Sequence, residues 1–145
     1  MGDISKDLHS TFPNELIKAL INISYTANWL NQIADKKFKQ YDISSQQYNV
    51  LRILRGAKSA ITVNTVRERM IKKSPNTTRL MDKLCAKNLI DRKRCNMDKR
   101  VVYVEITKKG LELINSIPMN DENKILKNIT VEEAEELNRI LDKIR

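Results

Sequence analysis

The stretch SPNTTRLMDKLCAKN, residues 74–88, decides the fold. Ser74 is a helix-capping residue type, and Pro75 would then occupy the one helical position that has no use for a backbone N–H. The helix opened by this pair is expected to run over about residues 75–87. Leu80, Met81, Leu84 and Cys85 then fall on one face, and Asn76, Arg79, Lys83 and Lys87 fall on another. Asn88 stands where a helix ends in the left-handed conformation, a role asparagine shares with glycine.

Beyond Asn88 the apolar period changes from 3.6 to 2. LIDRKR (residues 89–94) and RVVYVEI (residues 100–106) read as two strands, and Asn96-Met97-Asp98-Lys99 between them supplies turn residues for a β-hairpin. Thr107 can cap a further helix that Pro118 ends or kinks. Thr130 and Glu133 form a capping-box pattern that opens a last helix, with Ala134, Leu137, Ile140, Leu141 and Ile144 along one side.

Upstream, a short helix is expected from near Thr62, carrying Val66, Met70 and Ile71. Before it, Ser44 and Gln47 form another capping box, Tyr48, Leu51 and Leu54 give the following helix an apolar side, and Gly56 is the expected stop. From about residue 13 to 41, Leu16, Ile17, Leu20, Ile21, Ala27, Leu30, Ala34 and Phe38 recur at steps of three and four. So long an amphipathic helix needs an apolar partner, which a second subunit would supply.

The 145 residues suit a single domain, and their 41% hydrophobic and 31% charged content is an ordinary globular balance. The longest uncharged run, residues 19–34, holds three Asn and one Gln, so it does not read as a bilayer span. The first ten residues, MGDISKDLHS, are polar and carry acids, unlike an export signal. A soluble, cytoplasmic protein without membrane contact is expected. Two cysteines are too few for a disulfide framework. Cys85 reads as a small core residue, and Cys95, beside basic residues, is the candidate for a reactive thiol. One histidine, His9, and no glycine-rich phosphate loop leave catalysis, metal and cofactors without support, so no cofactor and no enzyme activity are expected.

The formal net charge is +9. All of the excess lies in residues 67–109, which hold 14 Lys/Arg against 5 Asp/Glu; the rest of the chain is balanced. Met70, Leu80, Leu84, Ile90, Val102 and Ile106 interleave with these charges, so the block reads as a folded module with a cationic face, suited to a polyanion. Two short helices joined by a turn and followed by a charged hairpin make a helix-turn-helix with a wing. A helix fits the major groove of B-form DNA, and a hairpin tip reaches the neighbouring minor groove, whose negative potential attracts guanidinium groups.

These residues resemble the multiple-antibiotic-resistance regulator (MarR) family. The resemblance lies in SPNTTRLMDKL running into KNLIDR, and in DKR (residues 98–100) followed by ITKKG (residues 106–110), spaced as in that family's signature. Asn88 replaces the usual glycine, and residues 118–128 form a short connection. The implied fold is mainly α with a small β-hairpin wing: a winged helix-turn-helix lobe over about 44–106, flanked by dimerisation helices at about 13–41 and 107–145. The implied function is a homodimeric regulator, a repressor, that binds a pseudo-palindromic double-stranded DNA operator.

The resemblance assigns residues 74–83 to the recognition helix, with Asn76, Thr77 and Arg79 at or near bases, Lys83 at phosphate and Ser74 among the DNA-binding residues. Thr78 faces either the core or a phosphate, and Asp82 is expected to pair with a nearby cation rather than read a cytosine. In the wing, about residues 92–102, Arg100 matches the arginine that enters the minor groove, and Asp98 holds either the hairpin or that guanidinium. Arg94 and Lys99 join the DNA contacts, although the basic run of Arg92, Lys93 and Arg94 also reads as solvated charge. Family members commonly release DNA when a small aromatic effector enters a cleft, for which Tyr25, Trp29 and Tyr48 are the candidates beside a plain packing role. Two readings remain open beside the regulator: a nonspecific architectural DNA binder, and a winged-helix module that binds an acidic protein.

Overall fold

The computed structural model describes residues 2–73, 75–118 and 122–145. The elements are α1 (Ile4–Asp7), α2 (Glu15–Lys39), α3 (Ser45–Ala57), β1 (Ile61–Thr62), α4 (Val63–Arg69), α5 (Thr77–Ala86), β2 (Ile90–Arg94), β3 (Val102–Ile106), α6 (Lys108–Ser116), α7 (Glu122–Ile125) and α8 (Val131–Ile144). They are mostly helical, with a three-stranded antiparallel sheet in the order β1-β3-β2. The chain divides into two compact units, one through Ile114 and one from Asn115 onward.

The first unit contains the winged helix-turn-helix. Its core is drawn from every element around the motif: Val50, Leu51 and Leu54 of α3, Val66 of α4, Met81 and Leu84 of α5, Ile90 of β2, Val104 of β3 and Ile114 of α6. The sequence pattern explains most of the element ends. The side chain of Asn14 accepts the N–H of Ile17 and starts α2. At α3, Ser44 and Gln47 close the expected capping box, with Gln47 N–H to Ser44 Oγ at 3.1 Å and Ser44 N–H to Gln47 Oε1 at 2.9 Å. Thr62 caps α4 through the N–H of Thr65. Asn88 sits at φ 56°, the left-handed geometry anticipated for it. Phe38 at the end of α2 stacks on Tyr48 of α3, with ring centroids 4.3 Å apart.

Local expectations are corrected at α3 and α5, and one strand is added. Gly56 does not stop α3: the helix runs through it, and Lys58, at φ 57°, is the left-handed residue. Gly56 keeps a negative φ and faces open space, so the backbone makes no special use of its missing side chain. The recognition helix begins at Thr77, with Asn76 as its N-cap. Pro75 lies in the turn leading to it, a placement equally suited to a residue with fixed φ and no donor. Ser74 lies outside the described residues. Finally, β1 pairs Ile61 with Val104 and Thr62 with Tyr103, adding an edge that two residues cannot announce by periodicity.

In the second unit, Thr130 and Glu133 form the expected capping box at the start of α8. None of the residues of α8 is fully buried, and Val131, Leu137, Ile140 and Ile144 are exposed. Among the described residues, no helix is long and apolar enough to cross a membrane.

Candidate nucleic-acid interface

The orientation of α5 follows from what it buries. Thr77, Met81 and Leu84, at i, i+4 and i+7, face the core. Arg79 and Lys83 are exposed on the side turned away from it, as is Asn76 at the N-cap. Four residues apart, Arg79 and Lys83 are neighbours on one helix face.

This packing corrects the expectation for Thr77. Its side chain is 0% exposed, so it cannot reach a base edge. The stripe inferred from the apolar residues Leu80, Met81 and Leu84 misses that the residue four before Met81 also lies underneath. Thr78 is the exposed member of the pair, and Leu80 is only half-buried.

Asp82 accepts a hydrogen bond from Arg92 Nη1, which ties α5 to β2 and uses both charges inside the lobe, as expected for Asp82. Cys85 lies half-buried beside this pair. Burial pushes its thiol pKa upward, and Arg92 only partly opposes that. At the end of α5, Lys87 Nζ meets the Asp42 carboxylate at 2.9 Å and also donates to the Asp42 carbonyl. The Lys87 carbonyl accepts from Lys109 Nζ at 3.0 Å. Lys87 therefore anchors the helix end instead of extending the exposed row. Sequence spacing could not have found this junction, because its members are 45 and 22 residues apart.

The wing is a pinned hairpin. Strand β2 pairs with β3 from Ile90↔Ile106 to Arg94↔Val102. At the turn, Cys95 N–H reaches Val101 O at 2.9 Å, and Val101 N–H reaches Asp98 O at 3.0 Å. Asp98 Oδ1 accepts the N–H of Arg100 at 2.9 Å, so this carboxylate holds the turn backbone. Arg94, Lys99 and Arg100 are exposed around it.

The aromatic candidates separate. Tyr48 is buried in its stack on Phe38 and is corrected from cleft lining to core. Tyr25 and Trp29 do come together, lining with Ile4, Asp7, Asn22 and Thr26 a depression of about 330 Å³ between α1 and α2. Among the described residues, no three His, Cys, Asp or Glu side chains converge as a metal site would need.

A buried two-helix motif, a second helix with exposed cations and a charged, pinned hairpin in one small sheet define the winged helix-turn-helix class of DNA-binding transcription regulators. Within that class the chain belongs to the SarA/Rot family of transcriptional regulators, whose model matches residues 32–117. The match spans the end of α2 and all of the winged lobe. Among curated relatives, the HTH-type transcriptional regulator MhqR of Bacillus subtilis is 27% identical over 121 residues, which is 83% of either chain. The HTH-type transcriptional regulator MgrA of Staphylococcus aureus is 29% identical over 113 residues, 77% of this chain and 76% of its own. Among solved structures, a mutant MarR from E. coli in complex with operator DNA aligns with a TM-score of 0.80 at 25% identity, covering 93% of this chain and 99% of that one. The S. aureus MepR–DNA complex shares the fold, with a TM-score of 0.76 at 23% identity over 86% of this chain and 93% of that one.

Proposed function

We propose that the chain is a homodimeric, cytoplasmic repressor that binds a pseudo-palindromic operator, its two compact units acting together as one subunit. In this reading α5 enters the major groove and the wing lies at the adjacent minor groove. Arg79 is the base-reading residue, Asn76 its neighbour at or near a base, and Lys83 a phosphate contact. Arg100 enters the minor groove, with Arg94 and Lys99 on flanking phosphates and Asp98 holding the turn. Ser74 is proposed as a further DNA contact from the sequence resemblance alone.

The observation that carries the reading is the exposed Arg79–Lys83 row, set above the buried Thr77–Met81–Leu84 stripe, in the same lobe as a hairpin tip carrying Lys99 and Arg100. The operator complex of the E. coli MarR mutant supports it by likeness of fold across nearly the whole chain. Dimerisation is supported by the exposed apolar residues of α2, with Leu16 82% and Leu20 61% accessible, and by those of α8. Apolar groups exposed along a helix seek a partner surface. Two such subunits related by a two-fold axis would place their recognition helices one helical turn apart, roughly 10 bp. A small aromatic effector, if one acts here, has the Tyr25–Trp29 depression as its site, and its binding would shift the population of DNA-competent dimers.

Fluorescence anisotropy on duplexes from the gene's upstream region, against scrambled controls at two salt concentrations, tests the proposal. Tight, sequence-selective binding weakened by Arg79→Ala and Arg100→Ala is the expected result. Equal binding to every duplex would make the protein an architectural binder, whose contacts are dominated by phosphate. No binding at low salt would point to a protein partner.

A further inference from the structure

Met97 sits at the apex of the wing with 98% of its surface exposed. The residues beside it in the turn, Asn96, Asp98, Lys99 and Arg100, are all polar or charged and all exposed. Solvated turns are built from polar residues and glycine, each serving the backbone geometry. A fully solvated thioether does nothing for the hairpin, since the turn is held by the Asp98 carboxylate, which accepts the Arg100 N–H, and by the Cys95–Val101 and Val101–Asp98 backbone bonds. Those bonds nevertheless give the tip a defined shape, so an apolar, unbranched side chain is presented in advance of binding, three residues from Arg100.

We propose that Met97 is a specificity-determining residue of the wing, an apolar wedge that packs against or between base steps of the duplex minor groove beside the site of Arg100. The inference rests on the DNA-binding reading above. Apolar side chains delivered to the minor groove partly unstack a base step and bend the duplex, and pyrimidine–purine steps deform at least cost. Arg100 and Met97 would then read two different properties of the same stretch of groove. The guanidinium responds to its negative potential, and the thioether responds to how easily a step opens. Met97 has no sequence-reading hydrogen bond to offer, so its contribution is a preference for deformable sequence and not for one base pair.

The test begins by selecting duplexes with the wild-type protein from a random 30-bp pool. A selected duplex is then compared with a version in which each pyrimidine–purine step flanking the major-groove contacts is replaced by ApA. Anisotropy is read for wild type, Met97→Ala, Met97→Gln and Met97→Leu. Full burial of a methionine side chain corresponds to a preference of about ten- to a hundredfold for each wing, and burial on one face only to the lower end of that range. The wild type and Met97→Leu are expected to prefer the flexible duplex by that factor. Met97→Ala and Met97→Gln are expected to lose the preference while keeping the salt dependence, because no phosphate contact has changed. Thermal melts should be unchanged in all three variants, since Met97 packs on nothing. Equal preference in Met97→Ala and wild type would overturn the proposal. Failure of the underlying reading shows separately: Arg79→Ala and Arg100→Ala would then bind the selected duplex as tightly as wild type, which overturns both.

Discussion

Gly110 closes the ITKKG motif, and its replacement by alanine tests how the wing sheet is seated against the helix that follows it. A Cβ at Gly110 would lie 2.2 Å from the Leu89 carbonyl oxygen, 2.8 Å from Ile106 Cγ1 and 3.1 Å from the Leu89 carbonyl carbon. Ordinary contact begins at 3.4 Å, so the closest approach is short by more than 1 Å. The Ile106 side chain can turn aside, but Leu89 cannot easily give way. Its carbonyl accepts the Thr107 N–H at 3.1 Å, and its neighbour Asn88 is held in the left-handed region, with its own carbonyl bonded to Thr107 Oγ1 at 2.7 Å. Alanine favours a helix over glycine by about 0.5–1 kcal/mol. Overpacking a tight site costs about 1–3 kcal/mol, and here the obstacle is backbone. The balance is a loss of roughly 2 kcal/mol, which lowers the melting temperature by about 4–8 °C for a chain of this size. The same displacement disturbs the anchor of α5, because Lys109, next to Gly110, bonds the Lys87 carbonyl. DNA affinity should therefore fall even where the variant is fully folded. Thermal melting by circular dichroism gives the first number and anisotropy the second. A Gly110→Ala protein that melts at or above the wild-type temperature would refute the reasoning.

Other predictions follow from single features. A double-mutant cycle with Asp82→Asn and Arg92→Gln, read by urea unfolding, should give a coupling of about 0.5–1 kcal/mol that shrinks in high salt, since both side chains are partly exposed; a coupling insensitive to salt would contradict this. Leu16→Glu combined with Leu20→Glu should leave a folded monomer in sedimentation experiments, and a dimer that persists would remove α2 from the interface. Burial holds the Cys85 thiol protonated in the folded chain at pH values where the unfolded thiol has ionised. Its contribution to stability is therefore intact at neutral pH and lost as pH rises from about 8.5 through the folded pKa. Urea midpoints of wild type should fall more steeply than those of Cys85→Ser over that range, and parallel slopes would contradict the assignment.

Much of the frame is legible in local chemistry. The boxes at Ser44 and Thr130, the left-handed Asn88 and the turn carboxylate of Asp98 each act over three residues or fewer, so the sequence states them directly. What escapes it is set by distant packing. Thr77 is polar, and only its position four residues before Met81, under a helix already committed to the core, sends it inside. Tyr48 has the composition of a ligand-lining residue, but its contact with Phe38 depends on how α2 and α3 meet. The two-residue β1 has no period to detect, and α1, four residues long, is too short to show one. The exposed cations of α5 and the wing are readable because charge on a helix face away from apolar neighbours stays in water. Their anchor at Lys87, Asp42 and Lys109 is not, because it joins three segments far apart in the chain.

The most direct test of the central claim is dimethyl sulfate interference on one selected duplex. This reagent methylates guanine N7 in the major groove and adenine N3 in the minor groove, so a single experiment reports both proposed contacts. The account predicts guanine interference at two positions roughly 10 bp apart, flanked by adenine interference on the outer sides. Arg79→Ala should erase the guanine signals and leave the adenine ones, and Arg100→Ala should do the reverse. Interference confined to one groove, or unaffected by either substitution, would contradict the placement of α5 and the wing.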